Sequence, residues 1–139
     1  MTIYTSRGCT HLCVFCPNRI IAPVFRVRSA KNVVDEIEYW YNNGRRQFNF
    51  DDDNFNMIRE RVLAICDEIE RRGLKDLFIH CSNGIRADRV DREMLARMPG
   101  DVVVLGAGGK MGPTLAMMVR KAAPTKAVYA VSRFSDSRI

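Results

Sequence analysis

A chain of 139 residues has room for one compact domain, or for two pieces each too short to be complete, and its 47% hydrophobic and 27% charged residues exclude a disordered chain. A net charge of +6 would suit nucleic acid, but Arg45, Arg46, Arg59, Arg61, Arg71, Arg72, Arg89 and Arg92 are scattered through helical stretches without the aromatic-basic motif of an RNA-binding module, and solvated helix faces account for them. No apolar run approaches the roughly 20 residues of a membrane span, and Met1 is followed by Thr2, Ile3 and Tyr4 instead of a basic leader, so the expected location is the cytoplasm.

Short β-rich runs alternate with amphipathic helical runs, the pattern of parallel strands joined by helical crossovers, so the expected class is α/β. A strand at residues 3–5 enters a cysteine loop that extends to Asn18, and a basic, Pro-containing connector follows through Arg28. A helix is predicted from Ser29, with Val33, Ile37, Trp40 and Tyr41 as its apolar stripe and Gly44 as its stop. A second strand at 47–50 runs into the acidic turn Asp51-Asp52-Asp53-Asn54, after which Asn56 is expected to cap a helix with Ile58, Val62, Ile65 and Ile69 on one face, ending at Gly73. A third strand covers 77–81. A shorter helix, capped by Asp91 and carrying Met94, Leu95 and Met98, runs to Pro99-Gly100, where continuation is blocked. The fully apolar strand 102–105 enters a glycine-rich turn from Gly106 to Gly112, a helix with Leu115, Met118 and Val119 on its core face follows, and 127–132 is the last strand.

Three of the five cysteines, Cys9, Cys13 and Cys16, form a C-x3-C-x2-C array directly after a strand, with Gly8 giving the backbone freedom to wrap a ligand. In a reducing compartment such an array points to metal before disulfides. Thiolate is the natural ligand of iron-sulfur clusters, and three thiolates on a four-iron cubane leave one iron open for a further ligand. A structural zinc site completed by His11 or Cys81 is the competing reading. Cys66, on a helix between Ile65 and Asp67, reads as a small buried side chain, and His80 and Cys81 read as core or strand-end residues.

The cysteine loop, with aromatic Phe15 just before the third cysteine, resembles the signature of the radical S-adenosylmethionine (SAM) superfamily. The segments around Thr5-Ser6-Arg7-Gly8-Cys9, Asn32-Val33-Val34-Asp35-Glu36-Ile37, Phe50-Asp51-Asp52-Asp53-Asn54-Phe55 and Asn83-Gly84-Ile85-Arg86-Ala87-Asp88 resemble its cobalamin-associated branch in the same order, over residues 2–98. The resemblance implies a [4Fe-4S] cluster on Cys9, Cys13 and Cys16, SAM on its open iron, and reductive cleavage to a 5'-deoxyadenosyl radical, with the electron from a donor such as flavodoxin or ferredoxin. It places Phe15 near the adenine and Asp52, Asp53 and Asn54 near the methionine ammonium. Arg86 is a candidate for the methionine carboxylate, which a guanidinium fork can grip through two oxygens. Complete domains of this family resemble a six-unit partial β/α barrel, of which three units are recognised here, and the branch's preceding cobalamin domain is not. An open half-barrel leaves a radical exposed to water and oxygen, so uncoupled cofactor cleavage is expected in place of efficient turnover.

The turn formed by Gly106, Ala107, Gly108, Gly109, Lys110, Met111 and Gly112, set between strand and helix, is the arrangement that lets backbone N–H groups approach a pyrophosphate. It resembles the start of an extended short-chain dehydrogenase of the epimerase and dehydratase type, with Arg133 placed to favour the 2'-phosphate of NADP. The resemblance covers only the end of the chain and lacks that family's Tyr-x3-Lys pair, so hydride chemistry is not expected. The organisation read from the sequence is a partial radical SAM domain at 1–98, a junction at 99–101 and an incomplete Rossmann segment at 102–139, joined as a fusion. The five strands are expected to form one open parallel sheet.

Overall fold

The structure, a computed structural model, describes residues 1–97, 101–109 and 112–132. The expectations attached to Met98, Pro99, Gly100, Lys110, Met111 and Arg133 lie outside the described residues. In chain order the elements are β1 (Thr2–Ile3), β2 (Ser6–Arg7), α1 (Asn18–Ile21), β3 (Arg26–Val27), α2 (Ala30–Asn42), β4 (Gln47–Phe50), α3 (Arg59–Arg71) and β5 (Phe78–Cys81). These are followed by α4 (Arg92–Arg97), β6 (Val102–Leu105), α5 (Gly112–Ala122) and β7 (Val128–Val131). The chain divides into two compact units, Met1–Arg89 and Val90–Ile139.

In the first unit β4 is the middle of a parallel sheet ordered β1-β4-β5. Its register sets Thr2, Asn49 and His80 in one row and Ile3, Phe50 and Cys81 in the next. Strand side chains alternate between faces, so Ile3, Phe48 and Phe50 turn together into a core with Val33, Val34 and Ile37 of α2 and Ile65 of α3. Each such side chain, fully withdrawn from water, contributes on the order of 1.5–3 kcal/mol. The helix α2 starts where the sequence places it: Ser29 accepts a hydrogen bond from the Asn32 N–H at 3.2 Å, and Val33, Val34 and Ile37 are fully buried.

A cation ties the two helices together. Arg72, at the end of α3, reaches Asp35 and Glu38 of α2 at 2.8 Å each and Glu68 of its own helix at 3.0 Å. Burial works against its charge, but hydrogen bonds to Asp35, Glu68 and Glu38 more than offset this and raise its pKa.

Three expectations are corrected in this unit. Asn56 does not cap α3, whose N-cap residue Ile58 offers no side-chain bond; it lies buried in a 3₁₀ turn, where its amide exchanges two 2.8 Å hydrogen bonds with the backbone of Arg86. The basic connector, to which the sequence pattern assigns no element, contains α1, and β3 pairs antiparallel with β2, Ser6 opposite Val27 and Arg7 opposite Arg26. The first parallel strand ends at Ile3, two residues earlier than expected, because the chain turns there into that ladder.

In the second unit β6 and β7 pair in parallel and α5 packs beneath them, with Leu95, Val119 and Ala123 as the buried core. Asp91 caps α4 as expected, accepting from Met94 N–H at 2.8 Å. Met118, predicted on the core face of α5, is 61% exposed instead, because Leu115, Val119 and Ala122 already supply that face. In place of the one five-stranded sheet expected, the hydrogen-bonded parallel strands among the described residues fall into two sheets, β1-β4-β5 and β6-β7. Among the described residues, no helix is long and apolar enough to cross a membrane.

Candidate metal centre

The cysteine loop leaves the sheet between Thr5 and Arg28, and its neck is held by several buried hydrogen bonds. Asp52, the second residue beyond β4, is 1% exposed. One of its oxygens accepts the Thr5 N–H at 2.6 Å, and the other accepts the hydroxyl of Ser6 at 2.7 Å together with that of Thr5. The next residue, Asp53, accepts the Gly8 N–H at 2.9 Å. From the opposite helix the buried guanidinium of Arg61 donates to the Thr5 carbonyl at 2.6 Å and to the Arg28 carbonyl at 3.0 Å, and the Arg28 N–H itself bonds to the Thr5 carbonyl at 3.0 Å. Burial lowers the pKa of Arg61, while the charge of Asp52 works the other way. The close approach explains Gly8: it sits at φ +81°, and a Cβ there would lie 2.7 Å from the Val24 carbonyl oxygen and 2.8 Å from that of Ala22.

Beyond the neck the loop turns outward. Cys9 and Cys16 are half-buried and Cys13 is exposed, with Cys16 N–H bonded to the Cys13 carbonyl at 3.1 Å and His11 N–H 3.5 Å from the Cys9 sulfur. Leu12, Val14 at 92% and Phe15 at 87% exposure stand around the thiols without joining the core. All five cysteines are free thiols. Among the described residues, no three His, Cys, Asp or Glu side chains are gathered around a single-ion position. The two residues weighed as a fourth zinc ligand are otherwise engaged. Cys81 packs against the core of the sheet, where burial pushes its thiol up to about 11, and Nε2 of His11 lies 2.9 Å from Nη1 of Arg86. A guanidinium only donates, so Nε2 accepts and a neutral His11 ring carries its proton on Nδ1.

Arg86, expected at the methionine carboxylate, holds a carboxylate of this chain: Nε and Nη2 donate to the two oxygens of Asp88 at 2.9 and 2.6 Å. This pairing is the main reason its pKa is raised, with smaller contributions from the nearby thiolate positions of Cys13 and Cys9. Asp88 in turn is held below the usual carboxylate range by Arg86. Asn54, the last residue of the predicted ammonium site, has a buried side-chain oxygen with no hydrogen-bond partner, and so does Asn49 on β4. A buried, unpartnered amide oxygen fits an incoming N–H donor such as an ammonium. Asp52, by contrast, has both oxygens occupied by the chain's own donors.

The sequence assigns no site role to Thr5, Ser6, Asn49 and, above all, Arg61. The last had a signal: Arg61 shares the four-residue spacing of Ile65 and Ile69, so a cation stands on the buried stripe of α3 and requires acceptors there.

In the second unit the glycine turn has local reasons for two of its glycines, close packing at Gly112 and backbone conformation at Gly106. A Cβ on Gly112 would lie 2.4 Å from the Ala107 backbone, and Gly106 adopts φ +75°. Gly109 donates its N–H to the Gly106 carbonyl at 3.0 Å, and a Cβ on it would sit 3.3 Å from that same oxygen. A shallow recess bordered by Leu105, Gly106, Gly109, Val131 and Ser132 lies over the turn.

Comparison with known proteins bears on the loop and the turn alike. The family model described as Radical SAM superfamily matches residues 3–136, and so takes in the glycine turn as well as the cysteine loop. Of curated relatives, an anaerobic magnesium-protoporphyrin IX monomethyl ester cyclase from Cereibacter sphaeroides is 38% identical over 72 residues, 51% of this chain and 12% of the relative. An uncharacterized methyltransferase from Pyrococcus horikoshii is 32% identical over 74 residues, 52% of this chain and 16% of the relative. The aligned segments thus span under one fifth of either relative's length.

Proposed function

The chain belongs to the radical SAM superfamily, and on that footing we propose that Cys9, Cys13 and Cys16 hold a [4Fe-4S] cluster at which SAM is reductively cleaved. The observation that carries this reading is the loop itself: its base is fixed by Asp52, Asp53 and Arg61 while its three sulfur donors stand at the outer end. The donor set is three soft thiols, which suits iron-sulfur ligation and leaves one iron for the cofactor. When bound, the cluster supplies the electron that splits SAM into methionine and a 5'-deoxyadenosyl radical. A flavodoxin- or ferredoxin-type protein is the expected source of that electron.

The chain's own residues bind and orient. Phe15, outward beside Cys16, offers an aromatic face to the adenine, and the unpartnered oxygen of Asn54 offers an acceptor to the methionine ammonium. Asp53, which fixes Gly8 through one oxygen, adds negative charge near that acceptor. Arg86 takes the methionine carboxylate in exchange for Asp88. That exchange is favoured because Asp88 is 62% exposed and solvent screens an exposed ion pair. The sequence likeness to the cobalamin-associated branch supports placing the chain there. The two relatives are named for different reactions, a cyclisation and a methyl transfer, and the function proposed for this chain is the radical-forming step.

The test is anaerobic incubation of the iron- and sulfide-loaded chain with dithionite and SAM, followed by chromatography for 5'-deoxyadenosine. Formation of 5'-deoxyadenosine with an equal amount of methionine is expected. SAM recovered intact from a chain that carries its full cluster would remove the proposal.

A further inference from the structure

We propose that Asp52 and Arg61 are positioning residues that close the neck of the cysteine loop and thereby set the geometry of the cluster, with Asp52 making no contact to SAM. This deepens the function proposed above and rests on it. Every polar group of Thr5 is committed to this neck. Its N–H and hydroxyl go to Asp52, and its carbonyl accepts from Arg61 and from the Arg28 N–H. Arg61 bonds simultaneously to the carbonyl of Thr5, before the loop, and to that of Arg28, after it, so one guanidinium joins the strand that enters the loop to the strand that leaves it. The antiparallel pairing of Ser6 with Val27 and Arg7 with Arg26 continues the same closure outward, up to Gly8 and its bond to Asp53. Cys9 is the next residue.

Charge explains why the two act together. A guanidinium withdrawn from water needs an anion close by, and Asp52 is the carboxylate whose charge favours ionised Arg61. Asp52 reaches the neck from the end of β4 and Arg61 from α3, so the entry to Cys9 is referenced to the sheet and to the core helix at once. Cys13 and Cys16, further along the loop, are left free to adjust to a guest. A carboxylate that served the methionine ammonium would need an oxygen facing the cofactor, whereas both Asp52 oxygens are withdrawn from solvent and engaged by the chain's own donors.

The experiment compares the unaltered chain with Asp52→Asn, Arg61→Lys, their double variant, Thr5→Val and Thr5→Ser. Amide hydrogen exchange is read first on the metal-free chain. In Asp52→Asn and Arg61→Lys, exchange at Thr5, Gly8 and Arg28 is expected to quicken about tenfold, and the double variant adds little to the larger single effect. Thr5→Val, which keeps the shape but loses the hydroxyl, is expected to follow them, and Thr5→Ser to restore slow exchange; this pair decides the matter if an Asp52 variant does not fold. After anaerobic loading with iron and sulfide, the electron paramagnetic resonance spectrum of the reduced cluster without SAM is expected to shift or broaden in Asp52→Asn and Arg61→Lys. Unchanged exchange at all three amides would overturn the proposal. So would an unchanged SAM-free spectrum combined with a weakened response to SAM, which would make Asp52 a direct cofactor contact. An unaltered chain that takes up no iron would instead refute the function, while the exchange measurements still judge the neck.

Discussion

The cysteine loop and the glycine turn are both strand-to-helix connections that exclude a Cβ at a glycine, and they do so for opposite reasons. At Gly8 the intruding atom would strike the carbonyls of Ala22 and Val24, on the returning limb of a long loop whose neck is held by side chains from β4 and α3. At Gly112 it would strike Ala107, the turn's own backbone five residues earlier. The first connection is braced from outside, with its cysteines beyond the neck; the second packs against its own backbone. A glycine pattern is therefore read by what occupies the missing Cβ's place: at Gly8 a distant limb of the loop, at Gly112 the turn's own backbone.

Thiol reactivity should separate the braced loop's tip from the core beneath it by the widest margin. Burial pushes Cys81 up to about 11, so that at pH 8 only about one molecule in a thousand carries its thiolate. Iodoacetamide labelling of the metal-free chain, followed by peptide mass spectrometry, is expected to modify exposed Cys13 at least about a hundredfold faster than Cys81. Comparable rates would show that the core does not shield β5.

The two glycines give the next contrast. Gly8→Ala combines a strained positive φ with a backbone clash, together about 3 kcal/mol against the present loop geometry, and iron bound per chain after anaerobic loading should fall by about tenfold or more. Gly112→Ala should lower thermal stability by a similar about 1–3 kcal/mol yet leave iron binding per folded chain unchanged. Equal effects of both on iron would erase the distinction.

Much of the fold was legible. Phe48 and Phe50 alternate with polar neighbours and mark β4, Val102 to Leu105 is uniformly apolar and marks β6, and Ser29 ahead of a three-four apolar spacing marks α2. The three cysteines stand out in the sequence because their C-x3-C-x2-C spacing is local. The neck was not, since β2 and β3 are two residues each and too short to show a period. Nor does a run of acids say which of them turns inward: the partners of Asp52 lie 46 and 47 residues away and meet it only because β1 pairs with β4.

Smaller effects refine the picture of the neck. Asp53→Ala removes the acceptor of the Gly8 N–H and should weaken the neck by about 1–2 kcal/mol, visible as a several-fold drop in cluster occupancy at limiting iron. The smallest effect is in acid. Asp35 is held below its usual range by Lys31 and then Arg72, and Glu68 by Arg71 and then Arg72. A carboxylate whose pKa is lowered on folding contributes its stability in full above its unfolded pKa and loses it as the pH falls through the folded one. The melting temperature of the first unit should therefore be flat above about pH 5 and decline below about pH 4, and replacing Arg72 by Met should make that decline shallower, with Lys31 and Arg71 sustaining the rest.

The most direct test of the cluster is metal analysis with electron paramagnetic resonance on the anaerobically loaded chain and on its Cys9→Ala, Cys13→Ala, Cys16→Ala triple variant. The account predicts about four irons per chain, a signal from the reduced protein that changes when SAM is added, and neither iron nor signal in the triple variant. Iron retained by the triple variant, or one tightly held zinc and no iron in the unaltered chain, would contradict it.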